Sequence, residues 1–411
     1  MEERSRKILK LVLKKLAQWT IGKYRPGVIG VTGSVGKTST KEAIFTVMRS
    51  IRVARVNAGN FNNEIGVPLT ILGDWTKVGG KLFWLKVVVA SVWRLIIPHK
   101  YPEILVLEYA ADRPGDIKYL LEIACPQISI VTAIGDIPVH VEFYSGPDAV
   151  AKEKAKLIDA APTNGFIVLN FDDESVLNMR DRARARAITF GFGEGAEVRI
   201  TNFENRFSNG RPEGIAFKIE SGGNFVPLRI DGCLGKSQAY AAAAAACVGI
   251  AFGMNLVRIV EALHYYQPPS HRMKIVSGIK GSHVIDDAYN ASPMSMHSAV
   301  EALRDVKRGR KVGILGDMLE IGKYSMQAHE AIGRLSAKTF KILITVGPGS
   351  KFIAQGANKA GMAKKDIFSF DTVEDVLPVI VKMIKKKDLI LVKASRGIGL
   401  DRVVEKIRQS V

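Results

Sequence analysis

Apolar and polar positions along this 411-residue chain fall into segments of different period. The first, MEERSRKILKLVLKKLAQWTIGKYRP, repeats as a helix: Ile8, Leu11, Val12, Leu16 and Trp19 fall on one side, and Lys7, Lys10, Lys14 and Lys15 take most of the rest. It reads either as a helix lying on an anionic membrane or as one packed on the first domain. No signal-peptide pattern follows it, so it is expected to stay on the mature protein. A second apolar stretch, KLFWLKVVVASVWRLIIP at residues 81 to 98, contains Lys86 and Arg94 and is short for a membrane span. It predicts an interfacial helix, with peripheral attachment at the inner face of the membrane, or else a buried helix or subunit contact.

Between and beyond these, short apolar runs alternate with helical stretches. ILVLEYA (104 to 110) and ISIVTAI (128 to 134) predict buried parallel strands, and PDAVAKEKAKLIDA (147 to 160) a helix capped near Asp148. From about 165 to 235 the runs FIVLN, AITFGF, EVRIT, GIAFKIE and FVPLRI are separated by Asn209-Gly210, Gly222-Gly223 and similar turns, the pattern of a small, largely antiparallel β insertion. An Ala-rich helix (238 to 251) follows, and HYYQPPSHRM (264 to 273) predicts a hinge. HVIDDAY, KVGILG, KILITVG, DIFSF and DLILVKAS then alternate with helices as in a second, Rossmann-like domain. The expected organisation is α/β: a basic N-terminal helix (1–26), a P-loop central domain with a parallel sheet and the β insertion (27–267), and a Rossmann-like C-terminal domain (268–411).

The turn after the first predicted strand carries the clearest chemistry. GVIGVTGSVGKTSTKEAIF, residues 27 to 45, reads as strand, phosphate loop and helix. Gly33, Ser34, Val35 and Gly36 offer backbone N–H groups at a helix N-terminus, Lys37 neutralises phosphate charge, and Thr38 carries a hydroxyl for Mg²⁺. A strict Walker A motif would have Gly where Val31 stands. Glu108 ends an apolar strand, where a carboxylate requires a cation, and nucleotide-bound Mg²⁺ is the expected one. His140 is either a second metal neighbour or a hydrogen-bonded structural histidine. Lys154 falls on the apolar stripe of its helix, so it either snorkels or, as a carbamate, supplies an anionic metal ligand. Gly347-Pro348-Gly349 has too few glycines for a second phosphate site.

Composition narrows the class. The formal charge of +19 is spread along the chain without a nucleic-acid-binding motif; an anionic substrate, an anionic membrane or solubility accounts for it equally. Cys125, Cys233 and Cys247 are too few and too dispersed for a disulfide framework or a zinc site, which favours the cytoplasm.

TGSVGKTSTKE (32 to 42), GNFNNEIGVPLTIL (59 to 72), EYAADRPGDI (108 to 117), DDAYNASPMSM (286 to 296), LGDMLEIG (315 to 322) and VKASRG (392 to 397) follow one another in order. In these segments the chain resembles the Mur ligases, ATP-dependent amide-forming enzymes of peptidoglycan synthesis. The resemblance implies ATP and Mg²⁺, an acyl-phosphate intermediate, and joining of an amino acid or a dipeptide such as D-alanyl-D-alanine to a nucleotide-linked or lipid-linked precursor. It implies ATP contacts from Gly33 through Ser39 and from Arg272, Asp287 and Asn290. Thr38 and Glu108 would hold Mg²⁺, with His140 and a carbamylated Lys154 at a second metal. Asn62, Asn63, Lys393, Ser395 and Arg396 would meet substrates. A polyglutamate-type or other Mur-fold ligase and a non-catalytic nucleotide-binding protein are the alternatives. Three departures stand out: only about 26 residues precede the phosphate-loop domain where family members have a UDP-binding domain, Gly235 to Ala241 replaces Gly-x-His-Asn-x-x-Asn, and Glu108 to Asp112 replaces Glu-x-Gly-Ala-Asn.

Overall fold

The computed structural model describes residues 3–306 and 309–409. In chain order the first half contains α1 (Glu3–Tyr24), β1 (Gly27–Thr32), α2 (Lys37–Met48), β2 (Ala54–Val56), α3 (Gly66–Leu72), α4 (Lys81–Ile96), β3 (Ile104–Glu108), α5 (Asp116–Ile123), β4 (Ile128–Val131) and α6 (Pro147–Asp159). It continues through β5 (Phe166–Asn170), α7 (Glu174–Leu177), β6 (Arg186–Gly191), β7 (Val198–Ser208), β8 (Arg211–Ser221), β9 (Asn224–Asp231), α8 (Lys236–Ala251) and α9 (Leu256–Leu263). Nine strands form one sheet in the order β2-β3-β1-β4-β5-β6-β7-β8-β9. The phosphate loop thus leaves the sheet's interior, flanked by parallel β3 and β4. The register that sets Val31 against Glu108 brings this carboxylate to the same strand edge as the loop.

The predicted insertion is narrower than its residue range. β5 and β6 are apolar runs that continue the parallel sheet, and only β7 to β9 are joined antiparallel. The β7–β8 turn has Asn209 and Gly210 both at positive φ, as its Asn-Gly sequence predicts. Helix α6 begins with Pro147, and Asp148 lies in its first turn without making a capping hydrogen bond.

The second half contains β10 (Lys274–Ser277), β11 (His283–Asp287), α10 (Pro293–Arg304), β12 (Lys311–Gly316), α11 (Ser325–Ala337), β13 (Ile342–Val346), α12 (Lys351–Lys359), β14 (Ile367–Phe370) and β15 (Leu389–Lys393). Its six-stranded sheet, β10-β11-β15-β12-β13-β14, is parallel apart from β10. The two halves share an apolar cluster: Val141, Val150 and Leu234 pack with Met273, Ile285, Met296 and Ile321. That shared core holds the strand edges of the two sheets around one cleft.

Helix α1 packs on the first half, with Leu13 and Leu16 against Leu69, Leu72 and Val87. Helix α4 buries only its Val87 and Ser91 side, so residues 81–98 are not a buried helix. Among the described residues no helix is long and apolar enough to cross a membrane.

Candidate active site

The phosphate loop is shaped by two contacts with the neighbouring strand. Ser34 and Val35 N–H groups donate to the Ala133 carbonyl (2.6 and 3.2 Å), and Gly33, at φ 143°, lies so close to Thr132 that an added Cβ would come within 2.1 Å of its hydroxyl. Gly36, at φ 90°, precedes α2 without a side-chain cap, which leaves the first-turn N–H groups for an anion. The buried Ser34 Oγ has no hydrogen-bond partner among the described residues, as expected of a group aimed at a phosphate oxygen. Lys37 Nζ donates to the Gly33 carbonyl at 2.8 Å. Burial lowers its pKa, opposed by Glu108 and Asp112 and aided by Arg272.

Glu108 is buried, and its charge is met within the protein by a residue not anticipated from sequence. Lys41, fully buried, sits 3.8 Å from Glu108 and donates to the Asn57 and Gly59 carbonyls at 2.8 and 3.0 Å. Asn62 Nδ2 donates to one Glu108 oxygen (2.9 Å), and the Thr38 hydroxyl donates to the other (3.1 Å). Burial pushes the Glu108 carboxyl up, but Lys41 first, then Lys37, Asn62 and Arg272, hold it below its ordinary value. A carboxylate, a hydroxyl and nearby phosphate-binding groups suit Mg²⁺, which usually takes one or two carboxylates, with nucleotide oxygens and water completing its shell. Asn63 does not join this cluster. Its side chain accepts the Ile65 and Gly66 N–H groups (3.1 and 3.0 Å) at the start of α3.

His140 stands between the two halves. Its Nε2 is 3.2 Å from Asp112 and its Nδ1 2.6 Å from Glu320, at a left-handed backbone position (φ 68°). Burial lowers the imidazole pKa against the pull of both carboxylates. Both ring nitrogens therefore face carboxylates, yet the buried Nδ1 makes no hydrogen bond among the described residues, and no cluster of three or more His, Cys, Asp or Glu able to hold a metal occurs among them. Lys154 is buried, without an ion pair among the described residues, and its pKa is lowered to about 7, first by burial and then by Lys37.

The C-terminal half supplies the opposite wall. Arg272 stacks on Tyr289 (4.1 Å to the ring centre) and reaches the Thr38 hydroxyl at 3.4 Å. Lys393, expected to meet substrate, is buried in an ion pair with Asp287 (2.6 Å) and donates to the Asn290 carbonyl (2.9 Å), and both charged residues line a cavity that reaches the phosphate loop. Asp287 also accepts the Met273 N–H at 3.1 Å, and the Asn290 side chain accepts its neighbour's N–H, so these three residues fix the loop after β11. Ser395 is buried too: its hydroxyl accepts the Leu319 N–H (2.9 Å), tying the loop after β15 to the one after β12. Arg396 remains exposed near Tyr289, with no ion pair among the described residues. The Gly347-Pro348-Gly349 turn already holds an anion, since Asp317 accepts from Gly349 and Ser350 N–H groups (3.1 and 2.6 Å).

Two cavities meet at the phosphate loop. One, of about 310 Å³, is lined by Lys37, Asn62, Glu108, His140, Arg272 and Arg396. The other, of about 290 Å³, runs from Gly36 and Ser39 to Asp172, Lys236, Gln238 and Tyr240 and is the more apolar. Its polar wall was not legible in the sequence: Asp172 accepts the Tyr240 hydroxyl at 2.7 Å across 68 residues. Ser39 is buried beneath it, its hydroxyl 3.4 Å from Gln238.

Residues 94–249 match the family model for the Mur ligase middle domain, and residues 271–396 that for the Mur ligase, glutamate ligase domain. The UDP-N-acetylmuramoyl-tripeptide–D-alanyl-D-alanine ligase of Bacillus subtilis is 30% identical over 97% of this chain and 79% of its own. The structure of MurF ligase from Thermotoga maritima in complex with ADP is similar at TM-score 0.77 and 26% identity, over 97% of this chain and 83% of that one. Folylpolyglutamate synthase of Mycobacterium tuberculosis, 14% identical, shares the fold (TM-score 0.68; 97% of this chain, 96% of that one). A phosphate loop beside a buried glutamate, at a cleft between two α/β halves, together with these matches, places the chain in the Mur ligase family.

Proposed function

We propose that this protein joins D-alanyl-D-alanine to the terminal carboxylate of a UDP-linked muramoyl-tripeptide, at the expense of ATP. The observation that carries this reading is the cleft itself, where the phosphate loop, Glu108 and Arg272 converge beside the exposed Arg396. It is supported by relatives named for that reaction over most of this chain's length.

In the proposed reaction a substrate carboxylate oxygen attacks the γ-phosphorus, the bond to the bridging oxygen breaks, and ADP leaves. The neutral amine of the dipeptide then attacks the acyl carbon, loses a proton, and expels inorganic phosphate. The protein's part is positioning and charge neutralisation. Lys37, Arg272 and the α2 N-terminus balance the phosphate charge, while Gly33 to Ser39 seat the triphosphate. Thr38 and Glu108 would hold Mg²⁺, with Asn62 and Lys41 fixing the Glu108 carboxylate. Bound there, Mg²⁺ supplies further neutralisation of the phosphates. The more apolar cavity suits the nucleoside, with Asp172 and Lys236 at its wall. Arg396 suits the carboxylate of the incoming dipeptide, because its planar fork matches carboxylate geometry.

Carbamylation of Lys154 belongs to this proposal. A neutral Nζ adds to the carbon of CO₂, an N–C bond forms, and one proton leaves to give an anionic carbamate. A pKa near 7 leaves much of the amine neutral, as that addition requires. A lipid-linked precursor is the second reading, favoured by the apolar outer side of α4.

Phosphate release should be measured with D-alanyl-D-alanine and, separately, a UDP-muramoyl-tripeptide, a lipid-linked muropeptide and free glutamate. Turnover only with the UDP-tripeptide supports the first reading. Turnover only with glutamate, or turnover that survives Lys37→Ala, overturns it.

A further inference from the structure

Helix α4 is apolar on the side that the protein leaves uncovered. Leu82, Leu85, Val89, Val92, Trp93 and Ile96 are all exposed, Leu82 by 82%, Trp93 by 63% and Ile96 by 71%. At 3.6 residues per turn these six share an arc of about 100°, opposite the buried Val87 and Ser91. Lys81 and Lys86 flank the arc, and both are exposed. Helix α1 lies alongside: Lys23 donates to the Arg94 and Leu95 carbonyls (3.2 and 2.8 Å), and Tyr24 to the Arg94 carbonyl (2.6 Å). Ile8, Leu11 and Trp19 of α1 are exposed as well, with Lys15 among them.

Charge decides what this surface fits. No Asp or Glu occurs between Arg4 and Lys41, or between Trp75 and Pro102. The acidic partners that do reach α1, Glu64 and Glu122, pair with Lys10 and Lys14. A second copy of the same surface would set lysines against lysines. An anionic bilayer meets the apolar arc with acyl chains and the flanking lysines with phosphate headgroups, and the exposed tryptophans suit the boundary between them.

We propose that the α1–α4 surface seats this protein on an anionic phospholipid bilayer, with the outer side of α4 lying in the interface. The proposal is independent of which precursor the active site accepts. Between this surface and the site lies α3, whose starting N–H groups are held by Asn63, next to the Asn62 that bonds Glu108. A protein docked in this way would work within reach of membrane-borne substrates as well as soluble ones.

The test is co-sedimentation of the full chain with vesicles of phosphatidylcholine alone and of phosphatidylcholine with phosphatidylglycerol. Binding to the anionic vesicles is expected, with a blue shift in tryptophan emission. Leu85→Gln with Trp93→Ser should weaken it about tenfold or more, since each removes an exposed apolar group of the size that drives interfacial binding. Lys81→Glu and Lys86→Glu should each weaken it about fivefold, and added salt should do the same. Melting temperature and ATP turnover report that the variants remain folded; these side chains lie outside the cleft, and Lys86 also sits over the Trp75 ring, 6.0 Å from its centre. Absence of binding to anionic vesicles overturns the proposal, as does binding unchanged in Leu85→Gln/Trp93→Ser. A dimer in solution that this double variant dissociates also overturns it, because a second copy would then cover the surface.

Discussion

His140 Nδ1 lies 2.6 Å from the Glu320 carboxylate, joining the phosphate-loop half to the C-terminal half at the rim of the cleft. Because burial holds this imidazole below its ordinary 6.5, the neutral ring is the form the assembled cleft favours. The stability it contributes is intact above 6.5 and is lost as pH falls from there through the lowered value. His140→Gln should therefore flatten the acid limb of the melting temperature measured from about pH 5 to 8. An unchanged acid limb would show that burial of the His140 imidazole does not set it.

Lys154 predicts the opposite side of the pH scale. With its pKa lowered to about 7 from 10.5, the unfolded chain binds more protons between those values, so stability should rise as pH increases through that window. Lys154→Met should remove most of this rise. If Lys154 is carbamylated, activity should also rise with added bicarbonate in the wild type and not in Lys154→Met. Mass spectrometry of the intact protein at neutral pH, before and after acidification, reads the carbamate directly.

Lys37→Ala should lower phosphate release by about three orders of magnitude with little change in melting temperature, because it removes a charge that neutralises the transferring phosphoryl group. Single-turnover kinetics with saturating ATP would separate this from weaker nucleotide binding.

Asn62→Ala should raise the Mg²⁺ concentration needed for half-maximal activity about ten- to a hundredfold, since its amide orients the Glu108 carboxylate. Asn63→Ala, which only uncaps α3, should cost about 1 kcal/mol of stability and leave the Mg²⁺ requirement alone. Equal effects of the two substitutions on Mg²⁺ would refute the assignment.

Asp287→Ala should destabilise the C-terminal half by about 3–5 kcal/mol, because it strands Lys393 in a buried position. The double variant Asp287→Ala/Lys393→Met should recover part of that loss. Urea unfolding of the set distinguishes a loop-fixing pair from residues that act only on substrate.

Taken alone, the sequence determined the elements and their class. Uninterrupted apolar runs named the buried parallel strands, the Gly-rich turn before Lys37 named the phosphate loop, and the apolar stripe of residues 147 to 160 turned Lys154 inward. These depend on interactions within a few residues, where periodicity and backbone freedom govern conformation. Tertiary structure decided the partners. Lys41 meets Glu108 from 67 positions away in the chain, Asp287 pairs with Lys393 at the wall of the more apolar cavity, and Glu320 reaches His140 across 180 positions. It also decided that α4 covers one side and leaves six apolar residues in water. Nothing local distinguishes a lysine that will neutralise a ligand from one that will neutralise a buried carboxylate, because that choice depends on which strand edges the sheets bring together.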